Sequence, residues 1–270
     1  MTDLLPTPGI LDGVSSVLFA HAHPDDETLA SGGLIAELVA RGVRVTLLTA
    51  SRGERGEIVS GALPADTDAD ALTRARENEL AGAVAALGIS AQYWLGEQPA
   101  RAAGLPLRRY RDSGMEWIRP GLAGPAGDAD ADALSVVPLD QVVDDVAALL
   151  AFEQPSLVIS YDSDGGYGHP DHVRIGEAAL AASVTAGIPY AELLETQSDA
   201  AEWFALSGHH DRVTAALRCH ASQLTVVGDD IVHSGGQRHP IGTDVGLRIV
   251  EPADVPALSL RDLRELLDQH

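Results

Sequence analysis

The stretch VLFAHAHPDDETLASGG, residues 17–33, decides the fold prediction. It begins inside a short apolar run at 14–20 that is rich in β-forming residues and predicts a buried strand. It ends inside a pattern of helical periodicity that stops at Gly42 and predicts a helix. Between them lie two histidines, a proline and three consecutive acids. Because the negative charges of the three acids repel one another, the cluster needs either water around it or a bound cation.

Strand and helix patterns alternate along the chain that follows. The further predicted strands cover residues 43–50, 90–96, 156–161 and 189–195. The further predicted helices cover residues 70–88, 138–155 and 169–187. Alternation of this kind implies right-handed crossovers between parallel strands. It predicts an α/β, Rossmann-like fold in which a mostly parallel sheet carries helices on both faces.

The C-terminal part has a less regular pattern and predicts a small β/α extension. Residues 209–227 resemble a helix that runs into a strand, residues 229–252 predict edge strands, and residues 258–270 predict a final helix. The single cysteine, Cys219, falls in the first of these segments and excludes an internal disulfide or a cysteine-based zinc finger.

Two further stretches, 52–70 and 119–133, are rich in turn residues and predict loops. The chain shows no internal repeat and no linker strong enough to divide it. We therefore expect one domain over residues 1–270, with a Rossmann-like core at 1–190 and an extension at 191–270.

The charge balance limits the partners that the chain can bind. Forty acids stand against 18 lysines and arginines, which gives a formal charge of −22 at pH 7. Nucleic-acid backbones and anionic membranes would be repelled at long range, so a small-molecule partner is expected. No apolar run has the length of a membrane helix, and the first residues lack the basic region of a secretory signal. We expect a cytoplasmic protein; its oligomeric state stays open.

Two His-Pro-Asp segments each follow a predicted strand and open a predicted helix. The first is HAHPDDE at 21–27, and the second is DSDGGYGHPDH at 162–172. In open parallel sheets, ligands bind beyond the carboxyl ends of the strands. If both strands are parallel members of one sheet, the two segments meet at the same edge. Pro170 fits the first turn of a helix, where its missing N–H is not needed.

The residue types in these segments suit a catalytic zinc site. Two imidazoles and one carboxylate, with a fourth position left for water, form such a site, although ferrous iron accepts the same set. Asp25 and Asp26 are adjacent and cannot easily point the same way, so one can bind metal while the other takes a proton from the water. A histidine on the opposite side could stabilise an oxyanion and protonate a leaving amine. This chemistry hydrolyses an amide.

The segments AHPDDE (22–27) and HPDH (169–172) resemble the PIG-L/LmbE-type zinc-dependent deacetylases, which remove acetyl groups from substrates that contain N-acetylglucosamine. The resemblance extends to roughly residue 250. It implies zinc ligands at His23, Asp26 and His172. It also implies that Asp25 is the general base, that His169 is the oxyanion partner and general acid, that Asp171 orients His169, and that Tyr167 assists from a mobile loop.

Four shorter segments, GERGE (53–57), RENEL (76–80), RDSGM (111–115) and GGYGHPDH (165–172), resemble the mycothiol-pathway members of that family. This resemblance implies N-acetylglucosaminyl-inositol as the substrate. The residues that it implies for the sugar and inositol pocket are Glu57, Arg76, Asp112 and Met115. The stretch TLASGG lacks the lysine, and GYGH the proline, that are typical of the sister enzyme, the mycothiol S-conjugate amidase. That amidase and a deacetylase of another amino sugar remain alternatives.

Other classes of protein fit the sequence less well. There is no G-x-G-x-x-G after the first strand, no phosphate-binding G-x-x-x-x-G-K-[ST], and no G-x-S-x-G elbow of a serine hydrolase. The non-enzyme alternative is a metal-containing sugar-binding module, which would be expected to lose Asp25 or His169. For the other histidines we expect packing or surface roles: His21, His209, His210, His220, His233, His239 and His270.

Overall fold

The computed structural model describes residues 9–251 of the chain. The strands are β1 (Ser16–His21), β2 (Arg44–Thr49), β3 (Ala91–Trp94), β4 (Met115–Arg119), β5 (Leu122–Pro125), β6 (Leu157–Tyr161), β7 (Tyr190–Leu194), β8 (Glu202–Phe204), β9 (Leu224–Val227), β10 (Asp230–His233), β11 (Arg238–Pro240) and β12 (Val245–Ile249). The helices are α1 (Asp26–Leu29), α2 (Gly32–Ala40), α3 (Ala69–Leu87), α4 (Leu139–Glu153), α5 (Gly165–Gly168), α6 (Pro170–Ala186) and α7 (His210–Leu217).

Strand β1 is buried on both faces, as its apolar run predicts. Val17 and Phe19 pack into one hydrophobic cluster, whereas Leu18 and Ala20 pack into another on the opposite side of the sheet. Side chains alternate along a strand, so an uninterrupted apolar run supplies both clusters. Helices α2 and α3 cover the first cluster and α4 and α6 cover the second. The predicted mostly parallel sheet with helices on both faces is confirmed.

The order of strands creates a crevice beside β1. Within residues 9–251 the main sheet runs β3-β2-β1-β6-β7-β12-β8. Strands β2 and β3 extend from one side of β1, whereas β6 and β7 extend from the other, and all of these neighbours pair in parallel. The direction of winding reverses between β1 and β6, and such a switch point opens a ligand-binding crevice at the carboxyl ends of the strands. Both His-Pro-Asp segments leave the sheet there.

The predicted helix after β1 is broken into α1 and α2. Ser31, with φ −139°, lies between them in a non-helical conformation. Gly33 lies so close to another part of the chain that a Cβ there would meet the carbonyl oxygen of Thr243 at 2.1 Å. Only glycine permits this approach, which brings the C-terminal part of the chain against α2.

The prediction that residues 229–252 form edge strands is wrong for β12. Strand β12 pairs antiparallel with β7 on one side and β8 on the other, so it lies inside the main sheet. Its residues Val245 and Leu247 are buried at the two-residue spacing of a strand, which explains why the sheet accepts it. Strands β9, β10 and β11 form a separate antiparallel sheet. The predicted final helix at 258–270 lies outside the described residues.

The predicted loop at 119–133 is wrong in its first part, where β4 and β5 form an antiparallel hairpin. The turn uses Gly121 at φ 77°, a conformation that favours glycine. The composition of GLAGPAG, rich in small residues, hides the alternation of a strand. Among the described helices, none has the length and apolar character needed to cross a membrane.

Candidate metal and catalytic site

The first His-Pro-Asp segment makes a tight turn directly after β1. Asp25 has φ 107°, a conformation that costs a non-glycine residue about 1–3 kcal/mol and persists only where surrounding contacts offset that cost. The Asp25 carbonyl accepts hydrogen bonds from Thr28 N and Leu29 N at 2.9 Å each, which closes the single turn of α1. The Asp26 carboxylate turns back and accepts from His23 N at 2.9 Å. The turn therefore fixes the Asp25 backbone and brings the Asp26 carboxylate back over His23.

The second segment begins the long helix α6 in a regular way. His169 is the N-cap, and its Nδ1 accepts from Asp171 N at 3.2 Å. Pro170 occupies the first helical turn, as predicted. One turn further on, His172 Nδ1 donates to the carbonyl oxygen of Gly165 at 3.2 Å. Gly165 has φ 63°, and a Cβ there would meet His172 Cβ at 2.9 Å.

The two segments converge around the carboxylate of Asp26. Its Oδ2 lies 3.4 Å from His23 Nδ1 and 3.3 Å from His172 Nε2. The rings of His23 and His172 have centroids 5.5 Å apart. His169 lies against both, with ring centroids 4.7 Å from His23 and 4.9 Å from His172. All four side chains are buried.

His172 Nε2 is the observation that indicates a cation. This atom is buried and, within the described part of the chain, makes no hydrogen bond. Nδ1 donates a hydrogen bond to the Gly165 carbonyl, so in a neutral ring Nε2 presents a lone pair toward the Asp26 carboxylate, which also presents lone pairs. A cation between the two acceptors removes this conflict, and a metal-bound histidine commonly donates its other ring N–H to a backbone carbonyl.

Two sets of side chains have the spacing of a metal site. The ligand atoms of His23, His169 and His172 all lie within 4.8 Å of one another, and so do those of His23, Asp112 and Asp171. His23 belongs to both sets. The cluster of buried histidines and carboxylates can therefore hold a metal ion at the carboxyl ends of β1 and β6.

The electrostatics of the site separate Asp25 from Asp26. Burial, with the adjacent Asp26 carboxylate, raises the pKa of Asp25 to about 8. Burial alone would also raise the pKa of Asp26, but His172 and His23 outweigh it and lower that pKa well below its usual value. Two neighbouring carboxyls whose pKa values diverge in this way are suited to different roles in acid–base chemistry. Burial and the two neighbouring imidazoles lower the pKa of His169 to about 3.

Asp171 is buried behind the histidines and holds a loop in place. Its carboxylate accepts from Ser113 N at 2.9 Å, from the Ser113 hydroxyl, and from His23 Nε2 at 3.2 Å. Only the backbone N–H of Asp171 bonds to His169, by donating to Nδ1. The side chain predicted to orient His169 therefore contacts His23 and Ser113 instead. The role of Ser113 was missed because a serine in a loop gives no distinctive sequence signal.

The four residues predicted for a substrate pocket occupy different positions. Asp112 is buried, with Oδ1 3.7 Å from His23 Nε2. Arg76 is also buried and donates to the carbonyl oxygens of Gly56 and Glu57 at 3.1 and 3.2 Å. The side chain of Glu57 is exposed, and Met115 is half-buried at the start of β4. Asp112 and Arg76 therefore lie deepest, and Arg76 also holds the 53–57 loop.

Aromatic rings lead from the histidines toward the surface. The Tyr167 ring centroid is 5.2 Å from that of His172 and 6.1 Å from that of His169. Trp117, on β4, follows at 5.8 Å from Tyr167, and it is 52% exposed. Sequence reasoning missed Trp117 because the β4–β5 hairpin was not predicted.

The other histidines within residues 9–251 lie in packed or surface positions, as expected, and His270 lies outside the described residues. His21 is fully buried, and its Nε2 lies 2.9 Å from the Ser31 hydroxyl. His233 and His239 face each other across β10 and β11, with their Nε2 atoms 2.8 Å apart. His220 is fully buried, but its partner is Glu27 of the first His-Pro-Asp segment, at 2.8 Å. Nothing in the local sequence around His220 predicts that contact.

The fold and the site together define an α/β protein with a histidine–carboxylate metal cluster at the switch point of a parallel sheet. The model of the family described as PIG-L, GlcNAc-PI de-N-acetylase, matches residues 18–183. The match takes in most of β1, the strands β2, β3 and β6, and both His-Pro-Asp segments, whereas β7, β8 and β12 of the main sheet lie beyond it. The chain belongs to the PIG-L family.

Curated relatives of similar sequence include two deacetylases of the same name. A 1D-myo-inositol 2-acetamido-2-deoxy-alpha-D-glucopyranoside deacetylase of Kineococcus radiotolerans is 42% identical over 65% of this chain and 46% of its own length. The chain thus spans about half of that relative. A protein of the same name from Mycobacteroides abscessus is 36% identical over 79% of this chain and 83% of its own length.

Among solved structures, the N,N'-diacetylchitobiose deacetylase of Pyrococcus horikoshii superposes with a TM-score of 0.55. The superposition covers 78% of this chain and 71% of the other at 21% sequence identity. At this identity the likeness shows the fold.

Proposed function

We propose that the chain is a zinc-dependent amide hydrolase that removes the acetyl group from N-acetylglucosaminyl-inositol in mycothiol biosynthesis. The ligands in this proposal are His23, Asp26 and His172. The observation that carries it is the buried His172 Nε2, which makes no hydrogen bond within the described residues and lies 3.3 Å from the Asp26 carboxylate beside His23. The family membership and the names of the curated relatives support the reaction and the substrate.

A bound zinc ion supplies a Lewis acid and makes a water molecule acidic near neutral pH. The protein supplies the proton transfers. Asp25 lies next to the ligand Asp26, and its ionised carboxylate is the group that would accept a proton from the attacking water. The oxygen of that water forms a bond to the acetyl carbon, the amide C–N bond breaks, and the amine nitrogen takes up a proton.

His169 faces this reaction with a defined tautomer. Its Nδ1 accepts from Asp171 N, so the neutral ring carries its proton on Nε2. An Nε2–H beside His23 and His172 can donate to the oxyanion that develops on the carbonyl oxygen. In this arrangement Asp25 can return its proton to the amine. For His169 to protonate the amine instead, its ring would first have to take up a second proton on Nδ1 and give up the hydrogen bond from Asp171 N.

The substrate would be held by the polar and aromatic groups around the cluster. Asp112 can accept from sugar hydroxyls and Arg76 can donate to the inositol. Tyr167 and the exposed Trp117 offer an aromatic surface on which the apolar face of a sugar ring can pack. Met115, on the same hairpin as Trp117, can cover another part of the sugar.

Amine release measures this function directly. We expect N-acetylglucosaminyl-inositol to yield one free amine per turnover with zinc-loaded protein, and we expect metal-free protein to be inactive until zinc or ferrous iron is returned. Activity on a mycothiol S-conjugate alone would favour the amidase, and activity on other acetylated amino sugars alone would replace the substrate. Binding of the sugar with no amine release from any of them would favour the sugar-binding module.

A further inference from the structure

Glu27 lies beneath the turn that carries Asp25 and is almost fully buried, with 1% of its surface exposed. One carboxylate oxygen, Oε2, accepts from the backbone N–H of Asp25 at 3.0 Å. The other, Oε1, accepts from His220 Nε2 at 2.8 Å and from the Thr28 hydroxyl. Glu27 therefore connects the backbone of Asp25 to a histidine that lies 193 positions away in the chain.

The conformation of Asp25 requires such support. Its φ of 107° is disfavoured for any residue with a Cβ, and the position is not a glycine. Conformations of this kind persist only where surrounding contacts enforce them. A hydrogen bond from a backbone N–H to a buried carboxylate is stronger than one between neutral groups, and Glu27 supplies it here.

His220 is held firmly in its own place. It is fully buried in the turn between α7 and β9. Its Nδ1 lies 3.4 Å from the side-chain nitrogen of Gln223, which is a donor. Nδ1 therefore accepts and Nε2 carries the proton, so Nε2–H donates to Glu27. Through His220, the C-terminal extension reaches the loop that holds the proposed general base.

We propose that Glu27 and His220 form a positioning pair that holds Asp25 in its positive-φ conformation and thereby directs the Asp25 carboxylate into the site. Neither side chain touches the substrate or the proposed zinc ion in this scheme. The pair acts through the Asp25 backbone. Its effect on catalysis rests on the proposed function, whereas its effect on the conformation of Asp25 does not.

The chain offers a matched control in a second histidine–glutamate pair. His209 Nε2 lies 2.6 Å from Glu37 Oε2, and this pair also joins the extension to the core, through α2. Glu37 otherwise pairs with Arg41. A His209→Ala variant therefore removes a similar link without disturbing Asp25.

The conformational test uses metal-free crystals of a double variant, Glu27→Met with His220→Leu. Apolar side chains of similar volume avoid leaving one buried charge without its partner, so this variant is expected to fold. We expect the φ of Asp25 to leave the positive region and its carboxylate to move. An unchanged φ near 107° with the carboxylate in place would overturn the proposal.

The kinetic test compares His220→Ala with His220→Gln, whose amide can still donate to Glu27. We expect His220→Ala to lower kcat about 10- to 100-fold, as for other outer partners of a site, with KM and zinc content within about twofold of wild type. His220→Gln should recover most of the rate, and His209→Ala should keep all of it. An unchanged kcat in His220→Ala, or a loss that only follows lost zinc, would contradict the positioning role.

A double-mutant cycle separates positioning from general damage. If His220 acts through Asp25, then His220→Ala should cause no further loss of rate in an Asp25→Asn background. Additive losses would refute the proposal. If the wild-type protein releases no amine from any acetylated amino sugar, the proposed function fails, and the crystallographic test still decides whether the pair holds Asp25.

Discussion

The two His-Pro-Asp segments have the same three residues and fold in different ways. At 169–171 the histidine caps a 17-residue helix, the proline takes its first turn, and the backbone is unstrained. At 23–25 the aspartate lies at φ 107° before a helix of only four residues. The second segment is organised by local helix signals, whereas the first depends on contacts from distant parts of the chain.

This difference assigns separate tasks to the segments. The regular helix start places His169 and His172 one turn apart on a rigid element. The strained turn sets Asp25 just before the single turn of α1, and the Asp26 carboxylate turns back to the N–H of His23. In the proposed scheme the first segment supplies one carboxylate for the metal and one for the water, and the second supplies two imidazoles from a helix start.

The largest expected effect comes from the strained segment. In the proposed scheme, Asp25→Asn removes the proton acceptor but keeps the size of the side chain. We expect kcat for amine release to fall about 10²- to 10⁴-fold with zinc content unchanged. The exposed Asp211 gives the control, and Asp211→Asn should behave as wild type. Wild-type turnover by Asp25→Asn would remove this residue from the mechanism.

In the regular segment, His169 combines a cap with a proposed role in catalysis, and substitution can separate the two. Asparagine is a good N-cap and can accept from Asp171 N as the histidine does. We expect His169→Asn to keep the thermal stability and to lower kcat about 10²- to 10³-fold, as for a lost oxyanion donor. His169→Ala should in addition lose about 1 kcal/mol of unfolding free energy. Full activity in His169→Asn would show that this residue only caps the helix.

A smaller effect is expected from the glycine that supports His172. Gly165→Ala adds a Cβ that meets His172 Cβ at 2.9 Å, so the imidazole must shift. We expect the affinity for zinc to fall about 10- to 100-fold in a competition titration with a chromogenic chelator. Gly187 ends α6, the helix that carries His172, at φ 68° and has open space around it. Gly187→Ala therefore brings similar backbone strain without the clash. Equal zinc affinities in the two variants would show that Gly165 does not position His172.

The smallest expected effect is that of Pro170→Ala. The proline fills a position where no N–H is needed, and its replacement mainly frees the unfolded chain. We expect unfolding in urea to show a loss of about 0.4–1 kcal/mol, with zinc affinity and kcat unchanged. A large loss of activity would mean that this segment is not a locally organised helix start.

The sequence predicts the parts of the molecule that local patterns determine. The apolar runs of β1, β2 and β6 and the signals at the ends of α3 and α6 are local, as with Asp68 capping α3 and Gly88 ending it. The strand–helix alternation predicts parallel strands, and parallel strands bring the two His-Pro-Asp segments to the same edge of the sheet. The choice of His23, Asp26 and His172 as ligands follows from the family resemblance, because spacing alone does not select them among the neighbouring acids and histidines.

The features that were missed depend on contacts between distant residues. β12 enters the sheet between β7 and β8 because Val245 and Leu247 complete a core cluster, which a short run at the end of the chain does not reveal. The contact between Glu27 and His220 joins two residues whose local surroundings predict nothing of each other. Trp117 approaches Tyr167 only because an unpredicted hairpin brings it there.

Metal stoichiometry in single-histidine variants tests most directly whether both segments hold one ion. After dialysis against buffer with low free zinc, we expect about one zinc per chain in the wild type and in His209→Ala, and a nearly complete loss in both His23→Ala and His172→Ala. If either of the last two variants keeps a full equivalent of zinc bound as tightly as the wild type, the two segments do not share an ion, and the proposed site is wrong.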